Sequence, residues 1–570
     1  MFPPKIPRIF VLASIIVFFL VTYTPFYLYR RVPHAFPAAD SQVAAYTEPA
    51  EPASTPTPEP IPEPAPEPAP EPAPEPLHDV VAPTQLPADQ ASNPGIPAVI
   101  SPPESEQTGA GLIPDQQQSD HSQPDAPQSQ HVLLQPDPKD CPADLEFLAR
   151  AGVELELTPR LRYTRRRIQT VFSSQVDRDE VVNITEPLFM NETEVDLWDC
   201  WDAQVPELPP ISLRVPKRYP QTTFTHLTFG VATNYERLQD SIPDFAHWLA
   251  GTGAKLVAVL TDASKKQAYE LQQLEHEFED AGINATIVKP IDETFSTSQN
   301  HFTVLIDMIK YGSESTQWYG LLDDDTFFPS LKPLSDALAT VDYRTDAYVG
   351  TLSEDFTAVR NFGFMAFGGA GAYLSPSLAK KLAGQAFKCI VEATSSEGDI
   401  IIRDCVYTNS KAKLTILPGL YQQDMRHDVS GFFEGGLRPL NLHHWKSWYY
   451  EPVEKMAKAS NFCGDCFLQR WRFGTDTVLS NGFSIATYRD GFDKVDLSSV
   501  EGTWERADRD YDFSIGPLRR PYTAEEKKSY RLRNAEITNK GDLRQLYILP
   551  AGNPDAGELD EVVELIWENH

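Results

Sequence analysis

Three consecutive carboxylates, Asp323, Asp324 and Asp325, follow directly on the apolar run Trp318-Tyr-Gly-Leu-Leu322. Adjacent like charges repel, so a fold that keeps them together is expected to supply a cation. On extended backbone alternate side chains share a face, so Asp323 and Asp325 can share one ion, and oxygen donors suit Mg²⁺ or Mn²⁺. The plainer alternative is a solvated acidic turn, or a helix N-cap ahead of Thr326-Phe-Phe-Pro329. Three other segments carry chemistry. Phe367-Gly-Gly-Ala-Gly-Ala-Tyr-Leu-Ser375 has glycines, Gly369 among them, that allow close approach of backbone to a ligand or simply tight packing. Glu397-Gly-Asp-Ile-Ile-Ile-Arg-Asp404 sets one or two carboxylates at the edge of an apolar segment, or else opens a helix whose dipole Asp399 offsets. Leu442-His-His-Trp-Lys-Ser-Trp448 offers an imidazole ligand and stacking surfaces, or a structural histidine pair in a loop.

The elements that must position these residues alternate. His226–Ala232, Lys255–Leu260, Ala285–Lys289 and Trp318–Leu322 read as strands. Tyr235–Ala250 reads as a helix that Pro243 kinks or restarts. Ser264–Ala281 and Asn300–Tyr311 read as helices closed by Gly282 and Gly312, and Ser375-Pro376 opens another over Leu378–Leu382. Strands alternating with helices predict an α/β fold with a parallel sheet covered on both faces. Ligands of such sheets sit beyond the carboxyl ends of the strands. That rule puts the weight on Thr233, Thr261-Asp262 and, above all, Asp323-Asp324-Asp325.

The chain has 570 residues, 50 prolines and a formal charge of −32. Between Val32 and Asp140 stand 26 prolines, 17 acidic residues and one basic residue, so half the charge belongs to a segment that cannot bury a core. Glu-Pro-Ala-Pro repeats over Glu59–Pro76 favour extended polyproline II. A disordered stalk is expected over 30–140. Before it, Ile9–Tyr29 is an uncharged run flanked by Lys5 and Arg8 and by Arg30 and Arg31, long enough to span a bilayer. It reads as an uncleaved signal-anchor behind a cytosolic tail, residues 1–8, with a cleaved signal peptide as the rival. The sequons at Asn183, Asn191 and Asn284 and six cysteines, all after the stalk, favour a lumenal body. Proximity pairs Cys141 with Cys200, Cys389 with Cys405 and Cys463 with Cys466. The acidic balance argues against nucleic-acid binding, which needs a basic face.

Taken in order over roughly Thr225–Asp490, these motifs resemble the Fringe-related β-1,3-glycosyltransferases, glycosyltransferase family 31, and most of all a fungal branch similar to plant Fringe-like proteins. The resemblance implies a GT-A (Rossmann-like) fold, a UDP-sugar donor, Mn²⁺ (or Mg²⁺) and a glycan or glycoprotein acceptor. By position it implies that Asp323 and Asp325 are the DxD pair, with Asp325 the direct metal ligand and Asp324 facing ribose or diphosphate. Thr233 and Arg237 match positions near the nucleotide, and Asp262 one near the uridine. Asp399 matches the general base. His443 or His444 matches a late histidine of the metal shell. Two departures stand out: Gly398 precedes Asp399 where many relatives carry a second acid, leaving Asp399 alone or Glu397 as substitute, and Arg403 replaces a common glycine.

The implied layout is a lead-in over 141–220, a catalytic domain over 221–490 and a C-terminal extension over 491–570, with strand material at Phe513–Leu518 and Glu561–Trp567. The expected location is a Golgi or ER membrane, single-pass type II. The expected reaction is metal-assisted transfer with inversion. A metal-dependent lumenal hydrolase, and a catalytically silent glycan-binding or scaffold protein of the same fold, are the alternatives. Oligomeric state is not legible.

Overall fold

Between Leu227 and Ile416 the apolar runs form a seven-stranded sheet in the computed structural model, which describes residues 141–190, 192–504 and 513–569. The strands are β1 (Leu227–Thr233), β2 (Lys255–Leu260), β3 (Ala285–Val288), β4 (Trp318–Leu321), β5 (Tyr348–Gly350), β6 (Ala372–Leu374) and β7 (Leu414–Ile416). Their spatial order is β7-β5-β6-β4-β1-β2-β3. The helices of this part are α1 (Tyr235–Asp240), α2 (Ile242–Leu249), α3 (Ala268–Asp280), α4 (Thr297–Tyr311), α5 (Leu331–Leu338), α6 (Phe356–Phe362), α7 (Pro376–Ala383), α8 (Ala386–Glu392) and α9 (Gly398–Asn409). The result is mixed α/β.

The expectation of a parallel sheet holds for every strand but β6. The strand β6 runs antiparallel to both β4 and β5. The connection between β5 and β6 explains this: α6 buries none of its residues, so it does not cross the sheet face as a crossover helix must. The chain instead returns through the turn Gly368–Ala370. The long helix expected over Tyr235–Ala250 is two helices, with Pro243 in the first turn of the second, where its missing N–H costs nothing. The helix expected from Ser264 starts at Ala268 after a short 3-10 turn.

A second, ten-stranded sheet joins parts of the sequence that read as separate. The strand Arg160–Ser173 from the lead-in pairs in parallel with Asp560–Glu568 at the other end of the chain, Leu161 opposite Asp560. Antiparallel strands Arg470–Phe473, Thr477–Ser480, Ser484–Tyr488, Lys527–Ile537 and Leu543–Leu549 complete its centre. The strand expected at Glu561–Trp567 lies here. The one expected at Phe513–Leu518 is reduced to Leu518–Arg519, since Pro517 has no N–H for a ladder.

The disulfides join Cys141 to Cys200, Cys389 to Cys405 and Cys463 to Cys466, with Cα–Cα distances of 5.0, 5.2 and 5.5 Å. Sequons Asn183 and Asn284 are exposed; Asn191 lies outside the described residues, as do the anchor and stalk. Among the described residues no helix is long and apolar enough to cross a membrane.

His247 on α2 ties this scaffold to the carboxylate turn. Its ring lies 5.1 Å from that of Phe327, its Nε2 donates to the Pro329 carbonyl at 3.1 Å, and its buried Nδ1 has no partner. Burial therefore pushes its pKa down to about 4, from 6.5. The stability that a neutral His247 supports is present above pH 6.5 and lost as pH falls through about 4. The melting temperature of the wild type should fall more steeply from pH 7 to pH 4 than that of His247→Gln, which keeps a donor for Pro329 and cannot charge. Parallel curves would show that this imidazole does not limit acid stability.

Candidate active site

The carboxyl ends of β1, β2 and β4 bring Thr233, Asp262 and Asp323-Asp324-Asp325 to one edge of the sheet. The three adjacent aspartates then part company. Asp324 turns to β1 and α1: Arg237 Nε donates to its Oδ2 at 2.6 Å, Arg237 Nη2 pairs with its Oδ1, and the Thr233 hydroxyl donates to Oδ2. Asp325 is buried and faces His443, whose Nε2 lies 3.1 Å from its Oδ1, while the Ser447 hydroxyl donates to its Oδ2 at 3.0 Å. Asp323 is half-exposed, with His443 Nε2 at 3.5 Å from Oδ2. Asp262 serves the scaffold, accepting the Tyr235 N–H at 2.9 Å and so fixing the start of α1.

Electrostatics follow this geometry. Burial alone would raise the carboxyl of Asp325, but His443 outweighs it and holds it well below the ordinary carboxylate range. Asp323 moves down for the same reason, and His443, against the cost of its own burial, is raised well above 6.5 by Asp325 and Asp323.

The two histidines have different surroundings. His443 Nδ1 donates to the Gln422 carbonyl at 2.7 Å, which leaves Nε2 as the nitrogen turned to the aspartates. His444, at φ +57°, directs Nε2 to Asp424 at 3.2 Å and stacks flat on Trp448 at 3.6 Å. Asp325, His443 and His444 each offer a ligand atom within 4.8 Å of the others.

A buried polar strap holds His443. Glu354 accepts the backbone N–H groups of Gln422 and Gln423 at 2.9 and 2.7 Å. Gln423 Oε1 accepts the His443 N–H at 2.8 Å, and Gln422 Oε1 accepts the Ala370 N–H at 3.1 Å. Asn441 donates to the Gly369 carbonyl at 3.1 Å. A two-residue bridge between Phe327 and Leu442 pins this strap beside the carboxylate turn.

The glycine turn fits between these groups. A Cβ on Gly369 would lie 2.1–2.4 Å from three atoms of the His443 ring. A Cβ on Gly368 would lie 2.7 Å from Asp399 Oδ1 and 3.0 Å from Asp323 Oδ1. The carboxylates of Asp323 and Asp399 thus converge on one glycine, and the Gly368 N–H donates to Asp399 Oδ2 at 2.7 Å. Asp399 stands in the first turn of α9, with Glu397 exposed at the N-cap. Arg403 is occupied locally by the Phe362 carbonyl, Thr394 and Asp404.

Residues 255–428 match the Fringe-like family model, and residues 359–544 match a family described as Protein of unknown function, DUF604. The first covers the three aspartates, the glycine turn and Asp399; the second covers Asp399 and both histidines. Over residues 255–428, less than half of the chain, the likeness is to the Fringe-like family. No curated protein matches it. Solved structures with partial likeness include the glycosyltransferase GlyE of Streptococcus pneumoniae TIGR4, at 14% identity and TM-score 0.24 over 35% of this chain and 45% of that one. The mannosyltransferase PcManGT of Pyrobaculum calidifontis, in complex with GDP-Man and Mn²⁺, shares 9% identity at TM-score 0.24 over 38% and 63%. Mouse xyloside xylosyltransferase 1 shares 12% at 0.20 over 31% and 73%. The chain thus spans less than half the length of GlyE, and likenesses this low carry no weight for substrate or mechanism.

Sequence reasoning missed His301, Glu354 and the Gln422-Gln423 strap. A histidine among the apolar positions of α4 was the one available signal for His301. Nothing local marks the strap, because its side chains pair with backbone N–H and C=O groups far away in sequence.

Gly369→Ala tests the packing of the site. The His443 ring cannot swing away without leaving Gln422 and Asp325, so the overlap should cost roughly 1–3 kcal/mol, read as a lowered melting temperature. Gly384→Ala, whose Cβ would meet nothing closer than 3.4 Å, should melt like the wild type. Equal melting of the two variants would mean that the turn and ring separate freely.

Proposed function

We propose that this protein is an inverting glycosyltransferase of the GT-A type, moving a sugar from a UDP-sugar to a hydroxyl of a glycan or glycoprotein with a β-1,3 linkage. One observation carries the reading: a carboxylate–imidazole pair and a separate carboxylate abut adjacent glycines of one turn, at Gly369 and Gly368. The donor set fits a divalent ion. Asp325 and His443 Nε2, with Asp323 beside them, would hold it, and a mixed oxygen and nitrogen set suits Mn²⁺ better than the all-oxygen preference of Mg²⁺. The Gln422 carbonyl on His443 Nδ1 is the outer partner that a ligating histidine ordinarily has. When bound, the ion supplies Lewis-acid neutralisation of charge on the leaving diphosphate.

The other roles belong to the chain. Thr233 and Arg237 hold Asp324 toward the nucleotide side, and Lys446, whose ammonium is held by the Ser241 hydroxyl, adds positive charge near Arg237. Asp399 has Oδ2 fixed by Gly368, which leaves Oδ1 to take the proton of the acceptor hydroxyl. A single base and one displacement give inversion, as in the one-step logic of inverting glycosidases. Within the same proposal, the protein is a type II membrane protein of the Golgi or ER, with the Pro/Glu-rich stalk spacing the catalytic body from the bilayer. Three disulfides and exposed Asn183 and Asn284 support a lumenal body.

UDP release by the full-length protein over a panel of UDP-sugars tests the reading. Mn²⁺-dependent release should disappear with chelator and fall about 10²–10⁴-fold in Asp399→Asn, the range a general base supplies. Asp325→Asn should lose both metal dependence and turnover. Full activity in both variants would sink the assignment of the site, and UDP–Mn²⁺ binding without turnover of any donor would favour a glycan-binding role.

A further inference from the structure

His301 lies on α4, buried beneath the carboxylate row, and none of the roles above uses it. Its side chain is 9% exposed. Nδ1 faces Asp323 Oδ1 at 3.9 Å and Nε2 faces Asp399 Oδ1 at 3.6 Å. The Nε2 atom is buried and has no hydrogen-bond partner. A buried polar nitrogen without a partner is costly, and this one points at the one oxygen of Asp399 that the Gly368 N–H does not hold.

The sequence around Asp399 is shaped to admit this ring. A Cβ at Gly398 would come within 2.9 Å of His301 Cδ2 and 3.0 Å of the Ser298 carbonyl. The glycine beside the base therefore leaves room for the ring: a side chain at 398 would crowd both the imidazole and the Ser298 carbonyl.

We propose that His301 is the positioning residue of Asp399, donating Nε2–H to Oδ1 in the working complex so that the carboxylate is held from both sides, by Gly368 on Oδ2 and by His301 on Oδ1. This rests on the reading of Asp399 as the base of a glycosyltransferase. A shift of well under 1 Å closes the 3.6 Å gap to hydrogen-bond length, and catalytic hydrogen bonds are commonly long before substrate binds. Each carboxylate oxygen has two lone pairs, so Oδ1 can accept from His301 and still face the acceptor hydroxyl. The same ring abuts Asp323, so base and carboxylate row are referenced to one rigid element, α4. No chemical step passes through His301 itself.

The test uses full-length wild type, His301→Ala, His301→Gln, Asp399→Asn and the double variant His301→Ala/Asp399→Asn, with UDP release from a donor that the wild type turns over. His301→Ala should lower kcat about tenfold or more, as expected for a displaced base, with donor KM and UDP–Mn²⁺ binding within about twofold of wild type. His301→Gln, whose amide can reach toward Asp399, should recover part of the loss. In the Asp399→Asn background, His301→Ala should cost nothing further. The proposal is overturned if His301→Ala turns over like the wild type, if its loss multiplies with that of Asp399→Asn, or if donor KM and UDP binding worsen in step with kcat, which would place its role at Asp323. A wild type that releases no UDP from any donor removes the glycosyltransferase reading and this role together. An active wild type with an indifferent His301→Ala removes only the role.

Discussion

Three negative charges on consecutive residues at the end of a buried strand are the constraint on which the rest of this site depends. Adjacent carboxylates repel strongly where water is excluded, and each must find its own counter-group. The structure divides them. Asp324 goes to Arg237 and Thr233, Asp325 to His443 and Ser447, and Asp323 stands between His443 and His301. These partners come from β1, α1, α4 and the 442–448 loop, so the carboxylate row ties those four parts of the chain together.

Holding an imidazole in so charged a place requires a stiff support. His443 is clamped at its backbone N–H by Gln423, at Nδ1 by Gln422 and on its face by Gly369. Glu354 in turn fixes the two glutamines through their backbone N–H groups. Every member of the strap is buried and partnered, which is the condition under which a polar network rigidifies a core. The carboxylate across the glycine turn has its own anchor. Asp399 sits at the start of α9, and the Cys389–Cys405 disulfide ties that helix to α8. For a loop of this length a disulfide contributes about 3 kcal/mol.

The parts legible from sequence are those with local causes. The strand β4 and its aspartates, the helix α4, the glycine turn and the paired cysteines all announce themselves through runs, spacing or proximity. So does the α/β class, because β1 to β4 alternate with helices. The antiparallel β6 was not legible, since a three-residue strand carries no direction and the helix before it buries nothing. The ten-stranded sheet was missed for a related reason. One of its pairings joins Leu161 to Asp560, and no local pattern records a partner some 400 residues away. The different surroundings of His443 and His444 also needed the fold: the histidines are neighbours in sequence, but the left-handed backbone at His444 turns its ring to Asp424 and Trp448.

By itself the sequence determined which chemical groups are available: three carboxylates after a buried strand, a glycine turn, a lone aspartate after Gly398, a histidine pair, and a Pro/Glu-rich segment that holds half the charge. These are matters of residue type and short-range spacing, which the chain carries before it folds. Only the tertiary structure decided how the groups are shared out, with Asp324 drawn to Arg237, Asp325 to His443, and His301 brought under Asp399. Those assignments depend on distances between segments far apart in the chain. Burial strengthens the Asp325–His443 contact most, because a charge removed from water is governed by its nearest partner.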